Sequence, residues 1–314
     1  MTSLIKTEVK TCQELLLQYA NTQGSTSDVQ KIVFTEVEGK DVYNITAPFL
    51  DEGELVIAGR VEARDSEHSD IMFFIQRGGR WGVREGAPIL HLQDPFYTRV
   101  AGELVLGGVE IYPHPEQRGA LKWRTSFYRG ATVASLKPFF KGPDGMKDIR
   151  PVELADGSIG VFTRPQGDKG GRGKIGYLRV ASLDALTCEA IEAAPLLEGQ
   201  FADGEWGGAN EAHLLGNGLV GVLGHIACFD AQGDRHYYPM AFAFDPETER
   251  FSDMALIAVR AAFLPGPSKR PDLEDVVFSG GLVRNNDGTA VLYAGISDAE
   301  AQRIVIADPF DQYE

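Results

Sequence analysis

The chain has 314 residues, 43% of them hydrophobic, and a formal net charge of −15 at pH 7. This length is ample for a large core, either in two domains or in one large all-β unit. The acidic balance disfavours a nucleic-acid-binding protein, because phosphate backbones select basic surfaces. No stretch approaches 18 uninterrupted apolar residues, so we expect no membrane-spanning helix.

The cysteine pattern indicates the compartment. Cys12, Cys188 and Cys228 are odd in number and form no Cys-x-x-Cys motif, which is typical of reduced thiols in a reducing environment. The first ten residues contain no apolar signal core. We therefore expect a cytoplasmic protein with neither membrane nor nucleic acid among its partners. The sequence does not predict the oligomeric state.

A helix is predicted at residues 11–20. Thr11 and Glu14 have the spacing of a capping box, and a run of leucines follows. The polar segment 21–28 has the composition of a loop. Residues 1–30 are therefore predicted to form a short N-terminal helical extension, and residues 31–314 the main domain.

From residue 31 onward the pattern changes to short strands rich in β-branched and aromatic residues. Turns containing Asp-Gly, Asn-Gly or Glu-Gly separate them, at 51–53, 156–157, 217–218 and 287–288. No sustained alternation of strand and helix is present, which disfavours doubly wound and TIM-barrel folds. The predicted strands are 31–37, 54–62, 70–75, 102–111, 123–128, 157–163, 174–180, 218–224, 237–244, 289–294 and 303–307.

A polar residue followed by a turn and an apolar strand occurs near Asn44, Asp94, Asp148, Glu211 and Asp275. The steps between these points are roughly 50 to 65 residues, the period at which propeller blades are sought. We therefore predict an all-β fold, a five-bladed β-propeller with a short N-terminal helical extension. Its five polar residues are expected to face one another across a central funnel.

Asp94 is the residue most suited to chemistry. It begins an apolar run, and Pro95 fixes the backbone directly after it. Near the centre of a funnel and beside other carboxylates, its pKa is expected to be raised, so that it keeps a proton near neutrality. The structural alternative is a carboxylate that caps the start of a strand.

The order of several motifs resembles the five-bladed propellers of the inverting β-mannoside phosphorylases. The chain is more similar still to β-1,2-mannosyltransferase/phosphorylases, a family formerly labelled a domain of unknown function, whose members build and degrade mannan reserves. The resemblance covers about residues 40–310. Its motifs are Asn44, Arg60 in Ala58-Gly-Arg-Val61, Asp94-Pro95, Lys147-Asp148, Gly160-Val-Phe-Thr-Arg-Pro-Gln166, Gly224-His-Ile-Ala227, Lys269-Arg-Pro-Asp-Leu273 and Tyr293-Ala-Gly-Ile-Ser-Asp298.

This resemblance implies reversible phosphorolysis or transfer of mannose in β-1,2-linked oligomannosides, with inversion and with mannose 1-phosphate as the product. No cofactor is implied, because inorganic phosphate is the co-substrate; a nucleotide-mannose is an alternative donor. Asp94 matches the general acid. The positions that match phosphate-binding residues are Arg60, Lys147, Arg164 and His225.

Substrate-binding roles follow from the same resemblance. Asn44, Asp275 and Asp298 match positions that hold the mannose at the cleavage subsite, and Asp148 and Tyr293 are expected to contact substrate as well. The chain departs from the phosphorylase pattern at three places, one of which is Lys147, whose match requires a shift of one residue. Phe96 follows Pro95 where Arg is usual, and Asp275 stands where Asn is usual.

Glu211 and His213 form a Glu-x-His pair, which on a strand would place both side chains on one face, toward a ligand or a metal ion. No third ligand at metal-like spacing accompanies them. We therefore predict no metal site and expect Glu211 to contact a sugar hydroxyl.

Two rival functions remain open. An inverting glycoside hydrolase would need a base carboxylate roughly 6.5–9.5 Å from Asp94, and Glu211 or Asp148 could serve. A non-catalytic carbohydrate-binding propeller would instead bury and hydrogen-bond Asp94, and an interaction propeller would expose an apolar face.

Overall fold

The computed structural model describes residue 4, residues 6–22 and residues 27–314. Within this part of the chain the strands form five antiparallel sheets, which follow one another along the sequence. The fold is a five-bladed β-propeller, as predicted. No helix among the described residues is long and apolar enough to cross a membrane.

The blades are numbered in chain order. Blade I contains Asp41–Tyr43, Phe49–Asp51, Glu54–Glu62, Ser69–Arg77 and Arg80–Val83. Blade II contains Gln93–Val100, Glu103–Pro113, Leu121–Gly130 and Lys137–Lys141. Blade III contains Arg150–Glu153, Ile159–Thr163 and Gly176–Val180. Blade IV contains Trp206–Leu214, Val220–Phe229, Arg235–Asp245, Arg250–Phe251 and Ala255–Leu256. Blade V contains Val277–Arg284, Thr289–Ile296, Glu300–Ala307 and the N-terminal strand Ser27–Lys31.

The N-terminal strand closes the ring. Ser27–Lys31 pairs antiparallel with Glu300–Ala307, with Lys31 opposite Gln302. This pairing covers an edge that would otherwise expose unpaired backbone groups. The proposed boundary at residue 30 therefore falls inside a strand that belongs to blade V.

The predicted strand at 31–37 is wrong beyond its first residue. Only an isolated bridge between Phe34 and Trp81 is formed there. Phe34 packs edge-on against Phe74 at 4.7 Å between ring centroids. The apolar residues of this segment therefore pack against blade I and do not form a ladder with a neighbouring strand.

The predicted turns between the first and second main strands of the blades are present. Gly53, Gly157, Gly218 and Gly288 have φ values of 83°, 81°, 88° and 78°. This left-handed region is one that glycine adopts without steric cost. Blade II has the equivalent turn at Ala101-Gly102, which sequence patterns missed because no Asp or Asn marks it.

The N-terminal helix spans Cys12–Thr22. Thr11 N donates to Glu14 Oε2 (2.8 Å) and Glu14 N donates to Thr11 Oγ1 (3.2 Å), so the predicted capping box is formed. Cys12 and Leu15 are buried against the cluster between blades III and IV. The other helical segments are Val133–Ser135, Gly167–Gly170, Leu183–Ala185, Cys188–Ala193, Arg260–Ala262, Pro271–Leu273 and Asp311–Tyr313.

The core lies between neighbouring blades. Tyr177 of blade III, for example, packs against Phe244 of blade IV with 4.5 Å between ring centroids. The first strands of blades II to V contact one another around the central axis. The loops that enter these inner strands therefore converge at one end of the molecule.

Candidate active site

A cavity of about 220 Å³ lies where the loops entering the inner strands converge. Its lining is rich in charge, and positive charge prevails in it although the whole chain is acidic. Such a local excess of cationic groups favours an anionic ligand. The charged groups and the histidine of the lining are Arg60, Lys147, Arg164, Arg235, Lys269, Arg270, Glu67, Asp94, Asp148, Asp298 and His225.

Four of these lining positions share one backbone conformation. Asn44, Asp94, Asp148 and Asp298 have φ values of 45°, 49°, 60° and 51°. Asn and Asp tolerate this left-handed region better than other non-glycine residues. At Asp94 the register of the blade II ladder shifts between Gln93 and Phe96, a bulge that redirects the side chain. The recurring polar positions in the sequence therefore reflect, in part, a recurring turn.

Asp94 is buried and hydrogen-bonded, and it also lines the cavity. Its Oδ1 atom accepts hydrogen bonds from Asn44 Nδ2 (2.7 Å) and Arg60 Nη1 (3.1 Å). Burial alone would raise its pKa, but Arg60 and Lys147 hold the pKa below its ordinary value. The expectation of a raised pKa is therefore wrong, because nearby cations outweigh the neighbouring carboxylates. Asp94 is ionised in the free protein.

Asp298 behaves in the opposite way. Burial raises the pKa of its carboxyl group, and the charge of Asp94 adds to the effect while Arg60 opposes it. The cavity thus places two carboxylates of different proton affinity together. Such a pair can contact a sugar hydroxyl both as acceptor and as donor.

Arg164 is the cavity residue best suited to bind an anion. It is 2% exposed, its Nε donates to the carbonyl oxygen of Gly207 (2.7 Å) and its Nη2 to that of Arg172 (3.2 Å). Its Nη1 atom is buried and has no hydrogen-bond partner in the described part of the chain. Leaving a charged donor buried and unpaired is costly, so this atom is suited to a ligand oxygen.

His225 lies beside Arg164 as a neutral ring. Its Nδ1 is 2.8 Å from Asn210 Oδ1, and the ring stacks on Tyr237 with 5.4 Å between centroids. Burial, aided by the charge of Arg164, lowers the pKa of His225 to about 3. A neutral ring that donates through Nδ1 leaves Nε2 to accept from a hydroxyl or a protonated phosphate oxygen.

Asp148 is a buried, paired carboxylate. Its Oδ1 accepts from Arg150 Nη2 (3.3 Å), and its Oδ2 lies 3.6 Å from Arg164 Nε. Burial opposes its charge, but Arg164 and Lys147 lower its pKa to about 2. It therefore positions cations and is a weak base.

Three predicted substrate contacts do not line this cavity. Glu211 accepts from the backbone nitrogen of Leu282 (2.7 Å) and lies 2.9 Å from His213 Nε2. Tyr293 packs in the apolar cluster of blade I. Asp275 accepts from Tyr238 Oη (2.7 Å) and lines a neighbouring groove. The described residues contain no group of three or more His, Cys, Asp or Glu that could hold a metal ion.

Sequence reasoning missed several residues that line the cavity or contact its lining. Lys269 and Arg270 line the cavity, and they begin one of the motifs on which the resemblance rests. The carboxylate of Glu62 accepts hydrogen bonds from the Nε and Nη2 atoms of Arg60. A signal for Glu62 existed, because residues two apart on a strand share a face. Glu67 comes from a loop position with no comparable signal.

The model of a family described as "Protein of unknown function (DUF1861)" matches residues 18–312. Comparison with curated protein sequences gives no match. A solved mannose phosphorylase from Leishmania mexicana, in complex with a phosphate ion, is 34% identical over 95% of this chain and 93% of its own, with a TM-score of 0.87.

Two further structures extend the comparison. A GDP-Man-dependent mannosyltransferase from Leishmania mexicana is 32% identical over 96% of this chain and 95% of its own, with a TM-score of 0.86. A β-1,2-mannobiose phosphorylase from Listeria innocua is 12% identical over 89% of this chain and 90% of its own, with a TM-score of 0.60, which shows the fold alone. The resemblance indicated by the sequence motifs is confirmed by the first two structures.

Proposed function

The chain belongs to the family DUF1861, and we propose that it catalyses reversible transfer of mannose between β-1,2-linked oligomannosides and inorganic phosphate, with mannose 1-phosphate as the product. The observation that carries this proposal is the buried, unpartnered Nη1 atom of Arg164 in a cation-lined cavity that also contains Asp94. The relation to a mannose phosphorylase solved with phosphate supports it.

In the degradative direction, phosphate held by Lys147, Arg164 and His225 attacks the anomeric carbon of the mannoside. The glycosidic bond breaks on the opposite face, so a β-linked mannose gives α-mannose 1-phosphate. The leaving oxygen takes up the proton that Asp94 supplies, directly or through a sugar hydroxyl. Phosphate is already anionic and nucleophilic, so this scheme needs neither a base carboxylate nor a cofactor.

Asp94 is ionised in the free protein, and this ionised form suits the synthetic direction of the reaction. A carboxylate can accept the proton that the acceptor hydroxyl loses as it attacks mannose 1-phosphate. Phosphate that binds beside Lys147 adds negative charge near Asp94, and a like charge raises the pKa of a carboxyl group. Asp94 then gains the proton that phosphorolysis requires.

The mannose at the cleavage subsite is proposed to contact Asn44 and Asp298. Both residues line the cavity together with Asp94 and Arg60, Asn44 from blade I and Asp298 from blade V. Burial raises the pKa of Asp298 and so favours its protonated form, the form that can donate to a sugar oxygen. The β-1,2 linkage rests on the motif resemblance.

Phosphorolysis fits the cavity better than hydrolysis. A hydrolase would need a carboxylate that activates water. Glu211 lies outside the cavity lining, and Asp148 is paired with Arg150 and has a pKa of about 2. A non-catalytic propeller accounts for the burial of Asp94, but it gives no reason for the unpaired Arg164 donor in the same cavity.

A nucleotide-mannose is proposed as a second donor. A groove of about 590 Å³ borders the cavity, and Arg235 lines both. Arg260 and His236 line the groove as well, which gives it both space and hydrogen-bond donors for a nucleotide. The 32% identical mannosyltransferase, which depends on GDP-Man, supports this donor class. Asp275 would then contact the nucleotide portion instead of the mannose.

The test is phosphate release from mannose 1-phosphate in the presence of a mannose or β-mannobiose acceptor. Release by the wild type and its loss in Asp94→Asn are the expected results. The absence of release, with GDP-mannose active in its place, would leave transfer from nucleotide sugars as the sole activity.

The three free cysteines support a reducing, cytoplasmic location, which we also propose.

A further inference from the structure

Glu62 is a buried carboxylate that has no part in the scheme above. It lies on the blade I strand Glu54–Glu62, two residues after Arg60, and its side chain is 1% exposed. Its Oε2 atom accepts from Arg60 Nε (2.9 Å) and Arg60 Nη2 (2.5 Å). Ser69 and Lys269 also donate to its carboxylate. One carboxylate therefore gathers two cations at the cavity wall.

The hydrogen bonds from Arg60 to Glu62, called the Glu62 clamp below, fix which edge of the Arg60 guanidinium faces the cavity. Nε and Nη2 are occupied by Glu62, so Nη1 alone reaches Asp94, at 3.1 Å. The guanidinium also lies over the Tyr43 ring, 4.9 Å from its centroid. An arginine free of this clamp could turn and form the stronger, two-bonded pair with Asp94.

We propose that Glu62 is a positioning residue, which holds Arg60 to a single hydrogen bond with Asp94 and so leaves Asp94 able to take up a proton when phosphate binds. This inference rests on the proposed function, because it concerns the proton that phosphorolysis uses. Glu62 itself touches neither substrate nor phosphate in this scheme.

The charges around the two carboxylates agree with this role. Asp94 interacts electrostatically with Arg60, which belongs to blade I, and with Lys147, Asp148 and Arg150, which lie at the entry to blade III. Asp298 faces it from blade V.

The other charged groups to consider are Glu62 itself and its partner Lys269. Lys269, from the loop before blade V, bonds Glu62 and the carbonyl oxygen of Ser66 (2.8 Å). Burial opposes the charge of Glu62, but Arg60 and Lys269 hold its pKa below the ordinary value, so it is ionised at neutral pH. Neutralising it removes one negative charge from beside Arg60.

The experiment measures proton uptake when inorganic phosphate binds, by titration calorimetry near pH 6 in buffers of different ionisation enthalpy. The wild type is expected to take up protons, and Asp94→Asn to take up fewer. The proton uptake of Glu62→Gln is expected to fall toward that of Asp94→Asn, because Arg60 then holds Asp94 in its ionised form.

Asp51→Asn is the matched control. Asp51 is, like Glu62, a buried carboxylate of blade I that pairs with an arginine, Arg84, but neither residue lines the cavity. This variant is therefore expected to keep the proton uptake of the wild type. Glu62→Gln combined with Lys269→Met removes both partners of one ion pair, and it is the substitute if the single variant fails to fold.

Phosphorolysis gives the second readout. At saturating phosphate, the alkaline limb of kcat/KM for the mannoside is expected to move by about one pH unit to lower pH in Glu62→Gln, which is a rate loss of about tenfold on that limb. A folded Glu62→Gln protein with the proton uptake and the limb of the wild type would overturn the inference, as would wild-type uptake that Asp94→Asn leaves unchanged. Proton uptake that depends on Asp94 and Glu62, without turnover of any mannoside, would refute the proposed function and leave the role of Glu62 intact.

Discussion

Asn44 Nδ2 lies 2.7 Å from Asp94 Oδ1, a contact between residues 50 positions apart in the chain. Blade I thus supplies a hydrogen bond to the carboxylate of blade II. The approach is close because Gly295 of blade V leaves room: a Cβ atom there would lie 1.9 Å from Asn44 Oδ1. Three blades therefore define the surroundings of the candidate acid.

Replacing Asn44 by Asp tests how strongly these surroundings control Asp94. Two carboxylates at hydrogen-bond distance cannot both ionise easily, so the pair is expected to share a proton. The alkaline limb of the phosphorolysis rate should move to higher pH by about one unit or more. A pH–rate profile measures the shift.

The control for added charge is Asn285→Asp, an exposed position in a blade V turn. An unchanged limb in Asn44→Asp, with the protein folded, would mean that Asp94 does not supply the proton.

Arg164→Lys tests the phosphate position. The lysine cannot reproduce the hydrogen bonds of Nε and Nη2 and offers no planar fork for phosphate oxygens. Loss of a charged hydrogen bond costs about 1.5–3 kcal/mol. The KM for phosphate should therefore rise on the order of tenfold to a hundredfold, with a smaller change in the KM for the mannoside.

The matched control is Arg179→Lys, because Arg179 pairs with Asp156 and Glu247 away from the cavity. Equal losses for phosphate and mannoside in Arg164→Lys would indicate a structural role instead.

Gly208→Ala tests the wall behind the same position. A Cβ atom at Gly208 would lie 2.6 Å from Arg164 Cδ and 3.1 Å from His225 Cε1. Both side chains must then move, so phosphate binding is expected to weaken by about tenfold or more, as one displaced charged hydrogen bond implies. Gly216→Ala is the control, because nothing lies within 4 Å of its added Cβ. Calorimetric titration with inorganic phosphate compares the two; equal affinities would contradict the placement of the anion beside Arg164.

His225 predicts a dependence of stability on acid. Its pKa is lowered to about 3 in the folded protein, against about 6.5 in an unfolded chain. The unfolded state therefore binds the proton first, and stability is lost as the pH falls from about 6.5 toward 3, by up to about 1.4 kcal/mol per pH unit. The raised pKa of His236 acts in the opposite direction.

Urea unfolding of the wild type and of His225→Gln at pH 7, 5.5 and 4.5 isolates the effect. The difference in unfolding free energy between the two proteins should shrink or reverse as the pH falls. A constant difference would show that His225 titrates normally.

The blade pattern could be predicted because turns and strands are local. Asp-Gly and Asn-Gly turns such as 156–157 and 217–218 mark the same place in successive blades, and the helix at Cys12–Thr22 carries its own capping signal. Closure of the ring could not be predicted, because Ser27–Lys31 is polar and gains strand geometry only by pairing with Glu300–Ala307.

The site was predictable only as far as its motifs reached. Arg60, Asp94, Lys147, Arg164, His225, Asn44, Asp148 and Asp298 do line one cavity. The direction of the Asp94 pKa depends on Arg60 and Lys147, which the fold brings from other blades. Glu211 follows the same spacing as the others, yet it bonds the backbone of Leu282. Spacing alone does not fix the direction in which a side chain points.

The central claim is that phosphate, and not water, attacks the mannoside. The most direct measurement incubates the protein with β-1,2-mannobiose, with and without inorganic phosphate, and identifies the sugar products. Cleavage only in the presence of phosphate, with α-mannose 1-phosphate and mannose formed in equal amounts, is the predicted result. Release of free mannose alone at an unchanged rate without phosphate would contradict the account.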